Sequence, residues 1–248
     1  MISDSLVQEI EYGYLINPSI GSIFRALVSV PIDHVRVVIL GDTPTSRKGV
    51  ASGLAFSIEP TVPAVLASST HRLLLEVRNE GFCVNSENGD LTPWGGRGVL
   101  LINSAFSIRA GGSSSHSAHS QLWRPFTTEL VKFISTFAKP SAWILFGKKA
   151  QSFGTLIDRN KHYVIKGGDP SPSTPSMQFF CGNYFNCANK WLSARGRGKI
   201  DWNLIRNSPA CLPVPHKSFI YTTLSNGVEK SRVTLETECK MRPCASIS

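Results

Sequence analysis

Four short apolar runs in this sequence each lead into polar residues able to do chemistry. "VRVVIL" is followed by Gly41, Asp42, Thr43 and Thr45; "VLLIN" ends in Asn103; "AWILF" leads into Gly147 and Lys148; "HYVIK" leads into Gly167, Gly168, Asp169 and "PSP". Two carboxylates, an amide, a lysine and several hydroxyls could together grip a polar heterocycle or a phosphate, or move a proton. An H-x-x-H spacing occurs in "HSAH" at 116–119, within a serine-rich stretch with no third ligand in view. Neither a metal nor a cofactor is therefore expected.

Such clusters act together only if the backbone brings them to one place. The runs at 35–40, 99–103 and 142–146 are nearly continuous in apolar character, as parallel strands covered on both faces must be, and 162–166 reads as a fourth. Between and after them lie helical patterns at 68–78, 126–137 and 179–192. In the second, Phe126, Leu130, Phe133, Ile134 and Phe137 fall on one face and read as a core stripe. The expected fold is α/β, three-layer α/β/α around a central four-stranded parallel sheet. Ligands in such folds bind beyond the carboxyl ends of the strands, where all four clusters fall.

With 248 residues, 42% of them apolar, the chain can bury one large core. An N-terminal extension at 1–19, a domain at 20–204 and an appendage at 205–248 are expected. The last is marked by Pro209, Pro213 and Pro215 and by a hairpin pattern around Asn226-Gly227. The formal charge of +9 biases the surface toward polyanions. No apolar run reaches the length of a membrane span, and "MISDSLVQEI" has no signal-peptide pattern, so the chain is expected to be intracellular and not secreted. Six cysteines without a C-x-x-C pair suggest free thiols in a reducing compartment.

Five segments then carry a resemblance. "VVILGDTPTSRKGVASGLAFSI" resembles the first motif of the family-1 uracil-DNA glycosylases, GQDPYH followed by G-L-x-F-S. "GDLTPWGGRGVLLINSAFSIRA" is similar to the stretch around the family's L-L-N strand, and "AWILFGKKAQSFGTLIDRNKHYVI" continues the likeness. "GGDPSPSTPSMQFFCGNYFNCANKWL" resembles H-P-S-P-L and F-F-G-x-x-H-F, and "KIDWNL" the terminal I-D-W. The likeness spans about 20–204 in order.

The resemblance implies a DNA-binding protein that flips uracil from DNA and breaks its glycosidic bond through a sugar cation and a departing uracil anion. It places Thr43 where the family has the carboxylate that orients water and stabilises the cation, and Asp169 where it has the histidine that holds the uracil oxyanion. Thr45 stands for the tyrosine that excludes thymine, and Ser173 for the leucine wedge. Phe56 matches the stacking aromatic and Asn103 the amide that reads the base, with Asp42 beside them in the base pocket. On spacing alone Phe56 is equally a core residue and Asn103 more simply a strand-end cap. DNA-backbone contacts are implied for Pro60, Pro63 and Ser68, for Gly147 and Lys148, and for Pro170, Ser171 and Pro172.

Threonine carries no charge near neutral pH, and an ionised aspartate repels an oxyanion. A monomeric, nuclear or otherwise intracellular protein is expected, catalytically inactive or strongly impaired. It would bind DNA weakly and salt-dependently, or a replication or repair partner, and no membrane. The alternative is an active uracil-DNA glycosylase of base excision repair with slow or altered base specificity. A third course is a protein-interaction module using 205–248.

Overall fold

A computed structural model describes residues 2–111, 119–205, 219–221, 224–225, 228–229, 233–235 and 241–244. Its centre is a four-stranded parallel sheet of β1 (Val37–Gly41), β2 (Val99–Asn103), β3 (Ala142–Phe146) and β4 (Tyr163–Gly167). The spatial order is β2-β1-β3-β4. Every residue of β1, β2 and β3 is buried, so both faces of the sheet are covered, as their unbroken apolar character requires. Pairing is in register, from Val37 opposite Val99 to Gly41 opposite Asn103 and from Ala142 opposite Tyr163 to Phe146 opposite Gly167.

Among the described residues, the helices that flank or precede the sheet include α1 (Ile2–Glu11), α2 (Ser68–Asn79), α3 (Ser120–Phe137), α4 (Gly147–Ser152) and α5 (Tyr184–Ala194). Among the described residues no helix is long and apolar enough to cross a membrane. Ile16–Asn17 pairs antiparallel with Ile108–Arg109, and Leu6 of α1 reaches the core. In the C-terminal segment Phe219–Tyr221 pairs antiparallel with Val233–Leu235, and Leu224–Ser225 with Val228–Glu229. Asn226-Gly227 itself, the prolines at 209, 213 and 215, and His116 lie outside the described residues.

Three expectations need correction. The core face of α3 is Trp123, Thr127, Val131, Ile134 and Ser135, while Phe133 and Phe137 are 51% and 63% exposed and pack on each other at 4.7 Å between ring centroids. Two polar residues can enter this face because each is bonded: the Thr127 hydroxyl donates to Ser104 O at 2.8 Å, and Ser135 Oγ accepts the Asp158 N–H at 2.9 Å. The helical pattern at 179–192 is broken: a short turn ends at Phe179, Cys181 and Asn183 take left-handed φ of 61° and 56°, and α5 starts at Tyr184. The described cysteines are not free thiols. Cys187 is bonded to Cys244, Cys83 and Cys181 are also disulfide-bonded, and none of the described cysteines is free. The case for a reducing compartment falls with that.

The break before α5 has a cause on another helix. Glu76 of α2 accepts the N–H groups of Cys181 at 3.1 Å and Gly182 at 2.7 Å, and Glu80, one turn on, accepts the Asn186 N–H at 2.8 Å. Two buried carboxylates thus satisfy amides at and before a helix N-terminus, where intrahelical partners are missing and negative charge is favoured. Burial raises both pKa values, that of Glu80 to about 8, against the opposing pull of the N–H donors. The folded chain therefore holds the Glu80 proton more tightly than the unfolded chain. That contribution to stability is complete below the unfolded value of 4.5 and is lost as pH rises through about 8. In urea unfolding between about pH 5 and pH 9, wild type should lose stability relative to Glu80→Gln by up to about 1.4 kcal/mol per pH unit, levelling off at the alkaline end. A constant difference between the two proteins would contradict the raised pKa.

Candidate functional site

The turns leaving the four strands meet at one edge of the sheet. Gly41 closes β1 where no side chain fits: a Cβ there would lie 2.6 Å from Asn103 Oδ1 and 2.8 Å from Phe56 Cζ. The missing side chain lets the Phe56 ring and the Asn103 amide close on the strand end. Phe56 has φ of 61°, unusual for a residue with a Cβ. Its ring stands edge-on to Phe146 at 5.6 Å, and its carbonyl accepts the Thr70 hydroxyl at 2.7 Å.

The turn after Gly41 is fixed from two sides. Asn17 Nδ2 donates to Thr45 O at 3.0 Å and Arg47 O at 2.7 Å. On the other side Ser104 N–H donates to Gly41 O and Ala105 N–H to Asp42 O, both at 2.9 Å. The turn borders a cavity of about 300 Å³ whose wall includes Asp42, Thr43, Thr45, Phe56, Asp169 and Ser171. Ser68 and Pro172 also line it.

The two carboxylates in this wall differ. Asp42 is engaged, with Lys149 Nζ at 3.0 Å from Oδ2 and the Ser104 hydroxyl at 3.3 Å from Oδ1. Asp169 accepts the Ser171 N–H on Oδ1 at 2.7 Å and lies against Gly147, where an added Cβ would fall 3.1 Å from its Oδ2. Burial pushes the Asp169 pKa up and the charge on Asp42 adds to this, while the Ser171 N–H, Lys149 and Arg72 oppose it. Among the described residues, no histidine lines the cavity. Its wall offers an aromatic face, hydroxyls and two acids.

The remaining predicted residues are dispersed around this edge. Asn103 is buried behind Gly41 and is not among the lining residues of the cavity. Gly147 and Lys148 line a second cavity of about 620 Å³, together with Lys149, Lys166 and Arg242. Asp42 and Asp169 line both, so the two cavities share a wall. Pro60 and Pro63 are exposed and line neither cavity; Pro63 precedes the turn Ala64–Leu66 that leads to Ser68. Pro170 is buried, and the exposed Ser173 shares a hydroxyl hydrogen bond with Ser171 at 2.9 Å.

Sequence reasoning missed Asn17, the Asp42–Lys149 pair and Arg242. Lys149 was within reach, next to Lys148 after a strand. Asn17 acts across 28 residues and left no local signal. His119 of the H-x-x-H pattern bonds Ser107 Oγ through Nδ1 at 2.7 Å and Glu9 through Nε2 at 2.9 Å. The arrangement has the order of a hydrolytic triad, but Ser107 is wholly buried and also accepts the Trp123 indole N–H at 2.7 Å. It anchors α1 to the body.

No family model matches the chain. A uracil-DNA glycosylase of Halalkalibacterium halodurans is 35% identical over 189 residues, covering 76% of this chain and 83% of the relative. One of Escherichia coli O7:K1 is 35% identical over 198 residues, covering 80% and 85%. Among solved structures, the mimivirus uracil-DNA glycosylase superposes with a TM-score of 0.74 at 23% identity, covering 82% of this chain and 80% of that one, a likeness of fold.

Gly41→Ala should cost about 1–3 kcal/mol in denaturant unfolding, because Phe56 and Asn103 must move. Gly21→Ala, whose Cβ meets nothing within 4 Å, should stay within about 0.5 kcal/mol of wild type. Equal effects would mean that the strand end is not tightly closed.

Proposed function

The chain belongs to the uracil-DNA glycosylase family, and from that membership we propose that it binds DNA at the loop edge of its sheet while its glycosidic chemistry is absent or strongly impaired. The observation that carries this is the cavity wall, in which Thr43 and Asp169 stand beside Phe56. The family's reaction needs a carboxylate at the first of these positions and a hydrogen-bond donor at the second. A threonine hydroxyl can neither take a proton from water near neutral pH nor offset a cation, and general-base help is worth roughly 10²- to 10⁴-fold. An ionised carboxylate facing an oxyanion forfeits the roughly 2.7–4 kcal/mol that a donor supplies and adds repulsion. Asp42 is a poor substitute, since the Lys149 ammonium already pairs with its carboxylate.

What remains suits binding. Phe56 offers a stacking face, and the lysines at the second cavity attract phosphates. Binding should be weak, because Ser173 gives no apolar wedge to hold an extruded base. The partner is DNA, alone or within a replication or repair assembly, and residues 205–248 are read as an appendage to the glycosylase domain.

One observation favours a second reading. The raised pKa of Asp169 means that its neutral form, which can donate an O–H to a uracil carbonyl, persists to higher pH than for an ordinary aspartate. A slow glycosylase favoured by acid would use it so.

On single-stranded uracil-containing DNA at high protein concentration, wild type should release no uracil above background. Thr43→Asp combined with Asp169→His should recover measurable release. Efficient turnover by wild type would overturn the inactive reading. Release that grows as pH falls, and that loses its pH dependence in Asp169→Asn, would establish the second.

A further inference from the structure

The larger cavity is basic for a reason that local sequence does not reveal. Lys148 and Lys166 are exposed at its rim, and Lys149 is paired with Asp42. Its fourth cation, Arg242, comes from the far end of the chain. The Arg242 backbone N–H donates to Cys181 O at 3.0 Å, and its carbonyl accepts from Asn183 Nδ2 at 3.0 Å. Nη2 of its guanidinium donates to Met177 O at 2.7 Å and Gln178 O at 3.3 Å. Both side-chain contacts use one nitrogen of a fork with five N–H donors. Two residues on, Cys244 is bonded to Cys187 of α5, so a covalent link fastens this stretch beside the cavity.

We propose that this cavity holds a phosphodiester group of single-stranded nucleic acid through Lys148, Lys166 and Arg242, and that Arg242 stays in place only while the Cys187–Cys244 bridge is intact. The proposal rests on the DNA-binding reading above and adds to it a residue that the disulfide delivers. A guanidinium fork matches phosphate geometry, and phosphate contacts dominate the affinity of such interfaces. The occupant is a polynucleotide because the two cavities share the wall formed by Asp42 and Asp169. A base against Phe56 and a phosphate against Arg242 would lie on either side of that wall, as a base and the backbone near it do along one strand. Reduction by a dithiol passes two electrons and two protons to the bridge, leaving Cys187 and Cys244 as thiols and the dithiol as its own disulfide. The described attachments of residues 241–244 are then hydrogen bonds alone, and the arginine can leave the cavity.

The test is fluorescence anisotropy of a labelled, uracil-free single-stranded oligodeoxynucleotide with the full oxidised chain between about 50 and 200 mM salt. Arg242→Gln, which keeps every cysteine, should weaken binding several-fold and lower the slope of log affinity against log salt by about 0.7, the value of one phosphate contact on a single strand. Cys244→Ser should do the same, and adding Arg242→Gln to it should cost nothing further. If Arg242→Gln and Cys244→Ser bind like wild type while Lys148→Ala weakens binding, the proposal is wrong and the DNA-binding reading stands. An equal loss from Arg242→Gln with and without the bridge would overturn the dependence on the disulfide. No binding by the oxidised wild type would remove both.

Discussion

The in-register burial of β1 between β2 and β3 is the constraint on which the site depends. β1 is hydrogen-bonded along its length to both neighbours and has no exposed residue. A slip of one residue would send each side chain to the opposite face of the sheet, which fixes the register. Gly41 must then end opposite Asn103, with Phe56 folding against both, and the turn 42–46 can only rise from that edge. The positions of Thr43 and Thr45 follow from this frame and do not depend on their own chemistry. Substitution there can alter the chemistry of the cavity wall while the scaffold stays whole.

A second order comes from the buried acids of α2. Taking a carboxylate out of water is costly, and converging hydrogen-bond donors offset only part of that cost, so burial still raises both pKa values. Glu76 and Glu80 find such donors in the backbone of 181–186. This holds Cys181 and Asn183 in left-handed conformations and sets where α5 begins. The same loop supplies the carbonyl and the amide that receive Arg242. A turn held by two buried acids thereby becomes the mooring point of residues 241–244.

The sheet was legible because its strands are continuous apolar runs, a signal that only burial on both faces requires. The convergence of the polar residues was legible for the same reason, since polar residues after such runs must share one edge. The break at 180–183 was not, because it depends on two carboxylates a hundred residues earlier in the chain. Phe133 and Phe137 misled because an exposed aromatic pair has the same residue types as a core stripe, while Thr127 and Ser135 enter the core by hydrogen bonds that periodicity does not register. The disulfides were invisible because pairing follows the path of the tail and not the spacing of its cysteines. Among the residues gathered at this edge, those that follow the strands were expected, and those that reach it from a distance, Asn17 and Arg242, were not.

The Cys187–Cys244 bridge closes a loop with a sequence separation of 57 residues, and neither Arg242 nor Cys244 belongs to the hydrophobic core. A cross-link of that length acts chiefly on the unfolded ensemble, removing chain entropy worth about 4 kcal/mol in the loop-closure account. That is comparable to the net stability of a small domain, itself about 5–15 kcal/mol. Part of this protein's resistance to unfolding is therefore held in the conformations its denatured chain is denied, and not in any contact that its folded core makes.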